Sequence, residues 1–189
     1  MTSSQAFSRF ERAQSGNRPS LAACSVDIHA APLLCFDLFT KEIGKWWPVG
    51  RAAGTTARRE IVMEPRVNGA FFEVGPRGLK EEWGTVVAFV PARTIIIDWK
   101  LDLQFVPSPT LTSELEVFFA QNRDGSSHLT IIHTRLEALG SAGQDIADRV
   151  TAQWRDILNS FQRFSKLMST EPGRDTVLRR NSDKPAGLY

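Results

Sequence analysis

A chain of 189 residues that is 42% hydrophobic and 23% charged has the composition of an ordinary globular protein and enough length for one core, which excludes fibrous and low-complexity classes. Its net charge of +2 excludes the strong basic surface that nucleic-acid binding requires. No apolar run is long enough to span a bilayer and Met1–Ser20 holds no apolar leader core, so a cytoplasmic protein is expected.

Residues 1–20 and 170–189 are rich in Ser, Arg, Asn, Gly or Pro without an apolar period, so both are expected to be flexible around one domain at 21–169. The basic cluster Arg174, Arg179, Arg180 and Lys184 falls in that tail with no aromatic interleaving, which reads as a solvated segment. Leu21 to Ala30 reads as a first strand. It contains Cys24, which with Cys35 makes up the cysteine content; their spacing prepares no metal or redox pair, and two reduced, mostly buried thiols are expected. Pro32 then opens a helical segment with Phe36, Phe39 and Ile43 on its apolar face, and Gly44 and Pro48 are expected to stop it around Trp46-Trp47.

From Arg58 to Arg135, short β-rich runs alternate with turn signals at Pro65–Gly69, Gly75–Gly78, Pro91-Ala92, Pro107–Pro109 and Asp124-Gly125, which predicts about six strands. With short connections and no helices between them, the strands are expected to form an antiparallel meander. Period two places Ile95, Ile97, Trp99 and Leu101 on the inward face of one strand. Trp83, Thr85, Val87 and Phe89 form the corresponding set on another, with Gly84, Val86 and Ala88 opposite. Leu115, Val117 and Phe119 face inward on a third, against Glu114 and Glu116.

After Gly140 the period becomes helical. Ile146, Val150, Trp154, Ile157, Leu158, Phe161 and Leu167 fall on one stripe of a long amphipathic helix, whose natural cover is the inward face of the sheet. An α+β fold follows, a curved sheet gripping its last helix.

Several strings resemble the heat-shock ATPase activator homologue family of the START-like superfamily: Phe36-Asp37-Leu38-Phe39-Thr40 leading to Trp46-Trp47-Pro48, then Glu64-Pro65-Arg66-Val67-Asn68-Gly69, then Trp83-Gly84-Thr85-Val86 followed by Pro91-Ala92-Arg93. Gln153-Trp154, Ile157-Leu158 and His133 complete the order, and the likeness runs from about Ser25 to Leu167. It implies a helix-grip fold: a curved antiparallel sheet of about seven strands around a long C-terminal helix, with two short helices after the first strand. Where the family usually has Gly-Gly this chain has Asn68-Gly69, a substitution the turn tolerates because Asn accepts left-handed backbone angles. START-like domains include lipid carriers, receptors, cyclases and chaperone cofactors, so the resemblance leaves the function open.

The resemblance also implies a cavity between sheet and helix. Its expected lining is Trp47, Phe72, Glu73, Trp83, Thr85, Ile97, Trp99, Leu115, Val117, His133, Trp154, Leu158 and Phe161, with a small apolar or aromatic molecule as ligand. The plain alternative is that these residues are simply core. His133 shares a phase with Leu129 and Ile131, so its imidazole is aimed inward as a ligand-orienting group or as a satisfied core histidine. A rival reading makes the same cavity that of a cyclase- or hydrolase-type enzyme, with His133 and Glu73 as base and acid. A third is an interaction or chaperone-cofactor-like module with a filled core, whose partner surface includes an exposed Trp46-Trp47. His29, His128 and His133 have no zinc spacing, and neither a phosphate loop nor a GxSxG elbow is present, so neither metal nor cofactor is expected. A homodimer through a sheet edge is compatible with all three readings.

Overall fold

The computed structural model describes residues 21–48, 60–108, 110–139 and 144–170; the two ends expected to be flexible lie outside these, apart from Thr170. Strand β1 (Ala22–Ile28) is followed by two short helices, α1 (Pro32–Lys41) and α2 (Ile43–Trp46). Strands β2 (Glu60–Met63), β3 (Ala70–Val74), β4 (Lys80–Val90), β5 (Thr94–Trp99), β6 (Ser113–Gln121) and β7 (Ser127–Thr134) come next, and the long helix α3 (Gln144–Thr170) closes the order. They form one seven-stranded sheet in the order β1-β7-β6-β5-β4-β3-β2, with every ladder antiparallel. The meander from β2 to β7 is what short connections between strands allow, and β1 returns to pair with β7 at the far edge. Among the described residues no helix is long and apolar enough to cross a membrane.

Turn chemistry sets the bends. Asn68 takes the left-handed conformation at φ +60° before Gly69, as the Asn substitution allows, and Ala92 does the same at φ +58° between β4 and β5. Between β6 and β7, the Asp124 carboxylate accepts from the Ser126 N–H at 3.0 Å, and Gly125 supplies φ +85°. Proline at the first turn of α1 sacrifices no helical hydrogen bond. Gly44 does not stop the helical segment; it lies inside α2. A Cβ there would stand 2.8 Å from the Ile61 carbonyl oxygen, so the glycine's use is close approach of α2 to the edge strand β2.

Packing follows the predicted faces with two corrections. On α3, Ile146, Val150, Trp154, Ile157, Leu158 and Phe161 are buried, but Leu167 is 67% exposed because it lies off the stripe, which continues onto the core through Phe164, Ser165 and Met168. On β4 the period-two reading holds at Trp83, Ala88 and Phe89 and inverts from Gly84 to Val87. The pairing with β3 shifts between Phe71 and Phe72, leaving Trp83 unmatched, and the pairing with β5 shifts between Val86 and Ala88, leaving Val87 unmatched. Each bulge inserts one residue and flips the phase, and the second restores what the first changed. Val86 is therefore buried and Val87 exposed. Thr85 turns to the outer face, where its hydroxyl donates to Glu82 Oε1 at 3.0 Å beside the Lys100–Glu82 ion pair.

Candidate functional site

The concave side of the sheet, α1, α2 and α3 enclose a chain of aromatic rings. Phe36 packs edge-on against Phe89 and Phe119, each at 5.0 Å between centroids. Phe39 and Phe161 continue the chain to Trp46. The Trp46 indole N–H is shared between the carbonyls of Leu38 and Phe39 at 3.1 and 3.3 Å, which locks α2 onto α1. Trp47, the next residue, is the hub. Its ring lies 5.5 Å from Trp83, 5.9 Å from Phe71, 6.2 Å from Trp154, 6.4 Å from Trp99 and 6.5 Å from Phe105. Trp46 and Trp47 are thus both buried, contrary to the exposed pair that the interaction-module reading expected. Offset and edge-on contacts of this kind add to the hydrophobic term of each buried ring.

His133 sits at the wall of this cluster, 2% exposed. Its Nδ1 accepts the Trp154 indole N–H at 3.1 Å. An indole only donates, so the imidazole proton is on Nε2, which donates to Ser113 Oγ at 2.8 Å. The Ser113 hydroxyl is in turn directed at the Trp99 carbonyl, 3.4 Å away. The ring therefore has both nitrogens engaged inside the protein, and burial pushes its pKa down from 6.5 to about 3. It is a neutral link that ties α3 to β6 and β7.

Trp83, Trp99 and Trp154 come together as expected, and Ile97, Leu115, Val117, Leu158 and Phe161 are buried in the same core. Three expected lining residues take other places. Thr85 is on the outer face. So is Phe72, which alternates with the inward Phe71 and lies beneath the Lys80 ammonium, 4.4 Å from its ring centroid. Glu73 is fully buried, but three strands, β4, β5 and β6, separate its strand from that of His133. That is on the order of 19 Å along the sheet, so the acid–base pair of the enzymatic reading is not assembled there.

Two residues absent from the sequence-derived set, Phe71 and Phe105, belong to the cluster. In the pair Phe71-Phe72 composition offered no reason to choose one face. Phe105 lies in a connection with no period at all, a tight turn at the end of β5. The Asp102 carboxylate accepts from the backbone N–H groups of Gln104 and Val106 at 2.8 and 2.9 Å, and the Phe105 N–H donates to the Asp102 carbonyl at 3.1 Å. Phe105 holds φ +61°, a left-handed position that glycine or asparagine normally takes in such turns and that costs a bulky residue about 1–3 kcal/mol. The ring is nevertheless only 7% exposed. Gln153 on α3 donates its side-chain amide to the Leu103 carbonyl at 2.8 Å and fastens the turn to the helix.

Under this turn a cavity of about 10 Å³ reaches inward between Phe105, Gln153, Trp154, Trp99 and His133. That is space for about one water, against roughly 300 Å³ for a preformed ligand pocket. The expected ready-made cavity at this place is thus filled by the protein's own rings. An open groove of about 600 Å³ lies elsewhere, at the β2 edge, lined by buried Ile43, Ile61 and Met63 and exposed Lys41, Lys45 and Glu60. None of the sequence-derived residues contributes to its lining.

The fold has many solved counterparts. Protein NE0264 from Nitrosomonas europaea superposes with a TM-score of 0.56 at 12% identity, over 82% of this chain and 99% of its own. The Aha1 dimer from Colwellia psychrerythraea gives 0.53 at 14% identity, over 75% of this chain and 92% of its own. An anthrahydroquino-γ-pyrone synthase, Txn09, gives 0.49 at 25% identity, over 71% and 88%. No protein-family model and no curated protein matches the chain. The likeness to NE0264 and the Aha1 dimer is one of fold, a curled antiparallel sheet gripping a long C-terminal helix.

Proposed function

We propose that this domain binds a small, planar, largely apolar aromatic molecule inside the grip, among Trp47, Trp83, Trp99 and Trp154, and does no covalent chemistry on it. The carrying observation is the Trp83 indole N–H. It is fully buried and has no acceptor among the described residues. Leaving such a donor unpaired costs about 1–3 kcal/mol, a cost that a ligand oxygen would remove while the surrounding rings bind its apolar faces. His133, neutral and engaged at both nitrogens, offers such a molecule no proton transfer near neutral pH. The strings around Trp46-Trp47 and Trp83-Gly84 support membership of the heat-shock ATPase activator homologue family, within which the domain acts as a ligand-binding member.

Coumarin, a planar molecule with a carbonyl acceptor that absorbs tryptophan emission, tests this. Saturable, one-to-one quenching of tryptophan fluorescence is expected, with affinity about tenfold weaker in Trp83→Phe, the loss of one hydrogen bond. Linear quenching, as for free indole, contradicts the reading.

The cavity of about 10 Å³ favours a second reading, a filled-core interaction module. With Trp46 and Trp47 buried, its surface would be the outer face of β4, where Val87 and Val90 are exposed. Failure of coumarin to bind, with the fold intact, selects this reading.

A further inference from the structure

We infer that the Phe105 ring occupies the seat of the ligand's own ring, and that binding displaces it by lifting the Asp102–Val106 turn. This rests on the chamber reading given above. Four observations converge on Phe105. Its ring is carried by a connection rather than by a strand or helix. It packs edge-on against Trp47. Its backbone is held at φ +61°, against the preference of a bulky side chain. It borders the cavity that reaches Trp99, His133 and Trp154.

The geometry also shows how the turn is released and returned. The bond from the Gln153 side-chain amide to the Leu103 carbonyl ties it to α3. Behind the turn, the Leu101–Pro107 bridge and the bond from Ser108 N–H to the Lys100 carbonyl fix its two stems. Lifting the tip therefore leaves the β5–β6 framework in place. An aromatic ring entering beside Gln153 recovers the contacts that Phe105 gives up, and the departing Phe105 backbone is relieved of its conformation. In the unliganded protein the seat is closed most of the time, so the observed affinity is the intrinsic one reduced by the open fraction.

The test is calorimetric titration of coumarin into the wild-type protein and into Phe105→Gly. Glycine suits a positive φ and keeps the turn while deleting the ring. Near-ultraviolet circular dichroism checks that the variant retains its tertiary packing. The expected result is binding by both proteins, with Phe105→Gly tighter by about tenfold or more, the factor by which an open fraction of a tenth or less weakens the wild type. A second expectation concerns the wild type alone: amide exchange at Gln104–Val106 accelerates on saturation with coumarin. Equal or weaker binding by Phe105→Gly, with slower exchange in the turn, overturns the displacement and makes Phe105 a wall of the site, leaving the chamber reading standing. Absence of binding in both proteins overturns the two together.

Discussion

His133 shows how a residue's position and its chemistry are read from different information. Its inward phase was legible from Leu129 and Ile131, four and two residues upstream. Its partners were not: Ser113 and Trp154 come from a neighbouring strand and from the last helix, and no local pattern reports such pairings. The arrangement makes a pH prediction. The folded-state pKa is depressed from 6.5 to about 3, so the unfolded chain binds the extra proton below pH 6.5, and stability present above that pH is lost as pH falls toward 3. Urea unfolding should show the wild type losing about 2 kcal/mol more than His133→Gln between pH 7 and pH 5, from one proton at roughly 1.4 kcal/mol per unit. Parallel profiles would mean that the ring titrates normally.

The thiols make a second prediction at this scale. Burial pushes Cys24 and Cys35 up to about 12, which leaves little thiolate at pH 8. Ellman's reagent should react slowly with the native protein and rapidly with both thiols in denaturant. Fast native reaction at Cys35, which is fully buried, would contradict the packing; Cys24 is half-buried and should be the faster of the two.

Among the elements, β4 carries the largest departure from the sequence reading. Trp83, Ala88 and Phe89 were placed correctly, and Gly84 to Val87 were not, because alternation has no way to register an inserted residue. The bulges that invert the phase are properties of the pairing with β3 and β5, not of β4 alone. Gly84, opposite both Phe71 and Trp99 in the ladders, is what lets the strand bend there. A Cβ at this position would lie 2.4 Å from the Asp98 carbonyl oxygen, a rigid backbone atom. Gly84→Ala is therefore expected to cost about 3 kcal/mol, the upper part of the overpacking range. Thr85→Val, on the outer face, should change stability by no more than about 0.5 kcal/mol. Urea unfolding of the two variants checks the phase: a large penalty at Thr85 with a small one at Gly84 would restore the simple alternation.

For the molecule as a whole, the helix grip was legible because its two largest signals are repetitive: short strands between turn residues, and one long amphipathic stripe after Gly140. What the grip encloses was only partly legible. Trp83, Trp99 and Trp154 were identified as converging, but the filling of the space between them by Trp47 and Phe105 depends on a helix end and a turn, where no period operates. Among the described residues, the space beneath the Asp102–Val106 turn shrinks to about 10 Å³ because of those two rings.

The measurement that bears most directly on the chamber is a crystal structure of the protein grown with coumarin. The account predicts coumarin in the seat of the Phe105 ring, against Trp47, its carbonyl accepting the Trp83 indole N–H, with the Phe105 ring turned outward. Aromatic packing unchanged from that described above, with coumarin absent from the interior at saturating concentration, would contradict it and leave a domain with a filled core.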